Sequence, residues 1–179
     1  RIRAGEKFDI VVLADDAMKK LEAEGFVKAG SRAGFAESSI AVAVPAGAKR
    51  PDLSNETTTK AAVLAAQTVG YSTGPSGTHV MKLLEKWGID PRDAKKVVVP
   101  PPGVPVGSLI ARGEVELGFQ QMSEFLEVQG IEVAGVLPAE IQSVTLFVCG
   151  VGAAAGNEAG ASDLIGYLTS PDTNATKWK

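Results

Sequence analysis

The stretch Val69–Gly88 constrains this chain more than any other. It reads as a short strand, a tight turn through Gly74, Pro75 and Gly77, and a helix that stops at Gly88. Val80, Leu83, Leu84 and Trp87 recur at helical spacing and predict a buried face. Ser76 or Thr78 is placed to cap the helix start. The first N–H groups of a helix have no partner inside it and carry partial positive charge. A turn of this kind therefore holds an anion or a small polar group without any Lys or Arg.

The rest of the chain repeats the alternation of strand and helix. Phe8–Ala14 is an apolar run of strand length, followed by a helix capped by Asp15 or Asp16, striped by Ala17, Met18 and Leu21, and closed by Gly25. A polar loop runs through Gly30–Gly34, and Ser38–Val44 reads as a strand ended by Pro45. Residues 46–55 form a loop, and 56–67 a helix with Ala61, Leu64 and Ala65 inward. Beyond Gly88 the reading is strand 95–99, a stiff Pro100–Pro105 segment, helix 106–111, strand 114–119 with Gln120 and Gln121 at its end, helix 123–128 and strand 131–136. Ile141–Val151 is the longest strand-like run, and Ala161–Leu168 the last helix, with Leu164, Ile165 and Leu168 inward. This alternation predicts an α/β fold with mostly parallel sheets. Ligands of such sheets sit beyond the carboxyl ends of the strands, where both the 72–78 turn and Gln120–Gln121 lie.

Composition narrows the function. The 179 residues carry a net charge of −3, with basic residues scattered, which argues against nucleic acid as a partner. No apolar run is long enough to span a bilayer, and membrane insertion is not expected. The single Cys149 reads as a small buried hydrophobe, so no disulfide framework or thiolate cluster forms within the chain, and no metal or cofactor is expected. Arg1–Lys7 reads as the end of a helix, and the expectation is a processed or truncated chain. The triplets Asn55-Glu-Thr57 and Asn174-Ala-Thr176 match a glycosylation acceptor by composition and read as polar surface loops. Gly74-Pro-Ser-Gly-Thr78 approaches a nucleophile elbow, but the one histidine, His79, starts the same helix and does not reach the serine from another element. Gly150–Ala155 approaches a dinucleotide fingerprint, but no later strand supplies the ribose-binding acid.

Several stretches, in their order, resemble one family. Gly5-Glu-Lys-Phe-Asp-Ile-Val-Val-Leu13, Gly30-Ser-Arg32, Ser38–Val44 with Gly47, Tyr71–Gly77, Leu83-Leu84, Gly88-Ile89, Ala111–Phe119, Ser123-Glu124, Pro138 and Glu140 are similar to extracellular solute-binding proteins of the molybdate-binding type. The resemblance covers nearly the whole chain. It implies a type II periplasmic-binding-protein-like fold of two lobes joined by two crossing strands near 38–44 and 141–149. Lobe one would be 1–45 with 138–179, lacking its first strands and helices, and lobe two 46–137. It further implies a periplasmic or extracellular protein that binds a small anionic or polar ligand between the lobes and delivers it to the membrane subunits of an ABC transporter.

Carried over by position, the ligand contacts would come from Ser72, Ser76, Gly77 and Thr78, from Gly103 or Val104, and from Gln121. Gln121 stands where oxyanion-binding members have a tyrosine. Its amide both donates and accepts, whereas a tetrahedral dianion takes donors only. The ligand is thus left open between an oxyanion and a carboxylate or other small polar molecule. Two rival roles keep the same fold. One is the effector-binding domain of a transcription regulator. The other is an isomerase, hydratase or lyase acting on a small carboxylic acid, with His79 paired to Glu37 or Glu124.

Overall fold

The computed structural model describes residues 1–171 and 173. The triplet at Asn174 lies outside them. The chain divides into two compact units, residues 1–37 with the chain from 145 onward, and residues 38–144. The first unit holds β1 (Ile10–Ala14), α1 (Asp15–Ala23) and β2 (Ala33–Ser38). The second holds β3 (Ile40–Pro45), α2 (Glu56–Ala65), β4 (Val69–Tyr71), α3 (Pro75–Lys86), β5 (Val97–Val98), α4 (Val106–Ala111), β6 (Leu117–Gln121), α5 (Met122–Phe125) and β7 (Ile131–Val136). The chain returns to the first unit for β8 (Thr145–Val151) and α6 (Glu158–Thr169). The unit boundaries fall at 37/38 and 144/145, so β3 and residues 138–144 go with the second unit, because β3 pairs on both sides inside its sheet.

The α/β class holds, with sheets more mixed than expected. In the second unit the strand order is β5-β4-β6-β3-β7. β4 runs parallel to β5 and β6, while β3 runs antiparallel to β6 and β7. In the first unit the order is β1-β8-β2, with β1 antiparallel to β8. In the second unit parallel pairing is confined to strands joined through helices, as crossover geometry requires. β2 begins within the stretch read as a polar loop, at the small residues Ala33 and Gly34, and fills the gap up to the strand expected from Ser38.

β3 explains the layering of the second unit. Ile40, Val42 and Val44 are buried on one face with Val63, Val80, Leu84 and Phe119. Ala41 and Ala43 are buried on the other with Val106, Leu109, Ile110 and Phe125. That second face is paved with small residues. A Cβ on Gly118 would meet Ile110 at 2.5 Å and Val106 at 2.8 Å, and one on Gly70 would meet Val115 at 2.9 Å. α4 can therefore seat close to the sheet, where dense packing gives the most dispersion energy.

Some local expectations change. α2 buries Thr59 and Val63, whereas Ala61 and Ala65 are exposed and Leu64 is 53% exposed. Its cap is Asn55, whose Oδ1 accepts from Thr58 N–H while Thr58 Oγ1 accepts from Asn55 N–H. Asp15 and Asp16 sit in the first turn of α1 rather than at its cap, Ala17 is exposed, and Met18 and Leu21 are buried. α6 starts at Glu158, capped by Asn157, and buries Ala161 and Ile165 while Leu164 is 47% exposed. Cys149 is fully buried against Val151, Ala161 and Ile165. Among the described residues no helix is long and apolar enough to cross a membrane.

Candidate functional site

The register of the second sheet gathers the candidate residues at one edge. Tyr71 pairs with Phe119 in parallel strands, so Ser72, just past β4, comes beside Gln120, which β6 still holds paired with Ala41. Gly70 pairs with Val98, so the 99–105 segment leaves the same edge. Ile40 pairs with Gln121 in antiparallel strands, so Ser38 and Ser39 enter there. Helices α3, α4 and α5 all begin at this edge.

The turn before α3 is forced by one contact. Gly77 is buried, and a Cβ on it would lie 1.4 Å from the carbonyl oxygen of Ser72. Only glycine lets the first turn of the helix press so closely on the end of β4. Ser76 is 2% exposed, and its Oγ lies 3.1 Å from Ser72 Oγ. The cap residue is Gly74, with Pro75 at the first helical position, so neither Ser76 nor Thr78 caps. Thr78 N–H donates to Gly74 O at 3.1 Å, and Thr78 Oγ1 to the same oxygen at 3.3 Å. The N–H groups of Ser76 and Gly77 precede that bond in the first turn of the helix.

The other candidates divide. Gly103 adopts a left-handed φ of 85°, and Val104 N–H closes the turn by donating to Pro101 O at 3.1 Å. Val104 is 37% exposed. Gln121 is 2% exposed at the end of β6, and the N–H of the next residue, Met122, donates to Ser39 O at 2.9 Å. Ser123 Oγ lies 3.4 Å from Ser38 Oγ.

Gln120 has a role that sequence reading missed. Its Oε1 accepts from Val106 N–H at 2.9 Å, which satisfies the first N–H of α4 in a buried setting. The amide is thereby oriented, and Nε2 donates to Glu124 Oε2. Partial burial pushes the Glu124 carboxyl above its usual range, and the Gln120 hydrogen bond opposes this. Two adjacent glutamines at a strand end were the one available signal, since their side chains must point to opposite faces.

Two further side chains anchor the edge. His79 is half-buried, and its Nε2–H donates to Ile141 O at 2.8 Å. The carbonyl can only accept, which fixes the ring tautomer. Gln142 Oε1 accepts from Ile40 N–H at 2.9 Å, and its Nε2 donates to Ile40 O and Leu137 O, each at 3.1 Å. Nothing in the sequence singled out Gln142.

In residues 38–40, 72–79, 99–106, 120–124 and 137–142, the ionisable side chains are His79, Glu124 and Glu140, and Glu140 accepts from the Glu56 N–H at the start of α2. The edge thus offers hydroxyls, amides and helix-start N–H groups, with two carboxyls and no Lys or Arg. Among the described residues no group of three or more His, Cys, Asp or Glu side chains is placed to hold a metal.

Two α/β units, linked by two passages of chain and with helix starts gathered at a sheet edge, define the type II periplasmic-binding-protein class. Solved structures agree on the fold. The periplasmic molybdate-binding protein of Azotobacter vinelandii superposes with a TM-score of 0.74 at 21% identity, covering 97% of this chain and 77% of that one. A periplasmic thiamin-binding protein gives 0.69 at 17%, covering 96% and 64%. A tungstate ABC transporter structure from Geobacter sulfurreducens gives 0.64 at 16%, covering 96% and 76%. Residues 1–179 match the family described as bacterial extracellular solute-binding protein, and the chain belongs to that family. It is also 36% identical over 173 residues to an aconitate isomerase from a Pseudomonas species, matching 96% of this chain and spanning 66% of that relative's length.

Proposed function

We propose that this chain is an extracytoplasmic binding component that serves an ABC transporter, and that its ligand is a small polycarboxylate bound at the carboxyl edge of the five-stranded sheet. The observation that carries this reading is the Ser72–Gly77 junction, which seats a helix start against a strand end and leaves the Ser76 and Gly77 N–H groups before the ladder. The donor groups at the edge suit an ionised carboxylate, which only accepts, and the Glu124 carboxyl stands three residues past the end of β6. The likeness to an aconitate isomerase favours the same class, since aconitate is a tricarboxylate.

A thermal-shift and calorimetry series on the full chain tests it, with cis- and trans-aconitate, citrate and succinate set against molybdate and tungstate. A ligand at about 100 times its Kd stabilises by about 2.7 kcal/mol. The expected result is a shift with tricarboxylates that Ser76→Ala diminishes. A shift with molybdate or tungstate alone, or with no anion, overturns the reading.

A second reading is favoured by the 36% identity to an isomerase, which extends over 96% of the chain. On it, the bound tricarboxylate is also isomerised. Moving a double bond within a three-carbon unit needs a proton removed at one end and returned at the other. It requires a side chain able to carry that proton. Incubating the chain with trans-aconitate and following cis-aconitate by NMR tests this, and no conversion above the buffer rate rejects it.

A further inference from the structure

We propose that Glu124 is the group that carries the proton in that isomerisation, an assignment that rests on the isomerase reading above. The case begins with elimination. In the segments that meet at the edge, His79, Glu124 and Glu140 are ionisable, and Glu140 Oε1 accepts from the Glu56 N–H at the start of α2. His79 holds its Nε2–H against the Ile141 carbonyl, which turns the ring toward residues 139–141.

Glu124 is held differently. The buried Val106 N–H fixes the Gln120 amide, and the amide can then only donate toward Glu124 Oε2. Among the described residues no hydrogen bond falls on Glu124 Oε1. One carboxylate oxygen is anchored and the other is available. Gln120 lies in β6 beside Ser72 at the end of β4, so the anchored carboxylate and the α3 start belong to the same edge. Burial raises the carboxyl above its usual range, which brings its basicity nearer to that of a working acid–base group.

The step balances without a cofactor. Glu124 takes a proton from the substrate methylene, so a C–H bond breaks and an O–H bond forms. The electron pair moves into the conjugated carboxylate–alkene system. After the carboxyl proton has exchanged with solvent, Glu124 returns a proton to the far carbon of the three-carbon unit, so the O–H bond breaks, a new C–H bond forms, and the double bond has moved. The charge that develops on the substrate carboxylate is met by the Ser76 and Gly77 N–H groups, as in other sites that stabilise a developing oxyanion.

Glu124→Gln separates chemistry from structure, because a glutamine oxygen still accepts from Gln120 but is no base. In D2O the unmodified chain should wash deuterium into the aconitate methylene. Glu124→Gln should lower both exchange and isomerisation by at least about 100-fold while the aconitate thermal shift persists. Glu124→Asp should recover part of the rate. Glu124→Gln turnover within about three-fold of the unmodified chain overturns the assignment, since general-base loss is far larger. Loss of the thermal shift together with turnover also overturns it, in favour of a binding role. If the unmodified chain binds aconitate with neither isomerisation nor exchange, the isomerase reading fails and takes this assignment with it. If it does not bind, the ligand reading itself fails.

Discussion

The carbonyl oxygen of Ser72 occupies the space that a side chain on Gly77 would need, with an ideal Cβ only 1.4 Å away. No rotamer relieves this, since both partners are backbone. Gly77→Ala should therefore destabilise the fold by at least about 3 kcal/mol, at or beyond the upper end of ordinary overpacking. Chemical denaturation measures it. Any ligand-induced thermal shift should vanish in the same variant.

Gln120→Leu should leave the Val106 N–H buried without an acceptor. The expected cost is about 1–3 kcal/mol. Urea midpoints at constant slope would report it. A midpoint unchanged from the parent would mean that α4 does not depend on this amide.

Gln142→Leu removes an acceptor from Ile40 N–H and donors from Ile40 O and Leu137 O. Ile40 is fully buried. A loss of about 2 kcal/mol is expected. Gln142→Glu should also be damaging at neutral pH, because a carboxylate keeps the acceptor but cannot donate to the two carbonyls.

Low pH should be reported by Trp87. Glu56 accepts from Lys86 at 2.6 Å and from Trp87 Nε1 at 2.9 Å. The Lys86 bond first, then the Trp87 bond, hold its carboxyl below the usual 4.5, against the opposing effect of burial. A depressed carboxyl contributes stability above its unfolded value, and that contribution fades as pH falls through the folded value. Trp87 emission should accordingly change as pH drops below 4.5, and Glu56→Gln should abolish that transition.

Much of this was legible because periodicity and glycine carry strong local information. Val80, Leu83, Leu84 and Trp87 are buried as their spacing requires, and α4 and β7 occupy the ranges their flanking residues suggested. The α2 face was misread because alanine does not mark a side, and Thr59, buried and bonded to Asn55 O at 2.8 Å, looks polar in sequence. At the site, the position of the 72–78 turn on the sheet edge could be inferred from strand–helix alternation. The pairing of Gln120 with Val106 and of Gln142 with Ile40 could not. Such bonds depend on side-chain geometry between segments distant in sequence.

The small residues beneath α4 have a consequence for adaptation. Ala41, Ala43, Gly70 and Gly118 leave that helix no slack, so the segment leading into it is braced from below. A lineage or an engineer seeking another ligand could not readily slide the backbone of this edge. On the proposed binding role, Ser72, Ser76 and Gln121 would have to be exchanged instead. Selectivity in this protein should evolve by substitution at fixed positions, with loop length held constant.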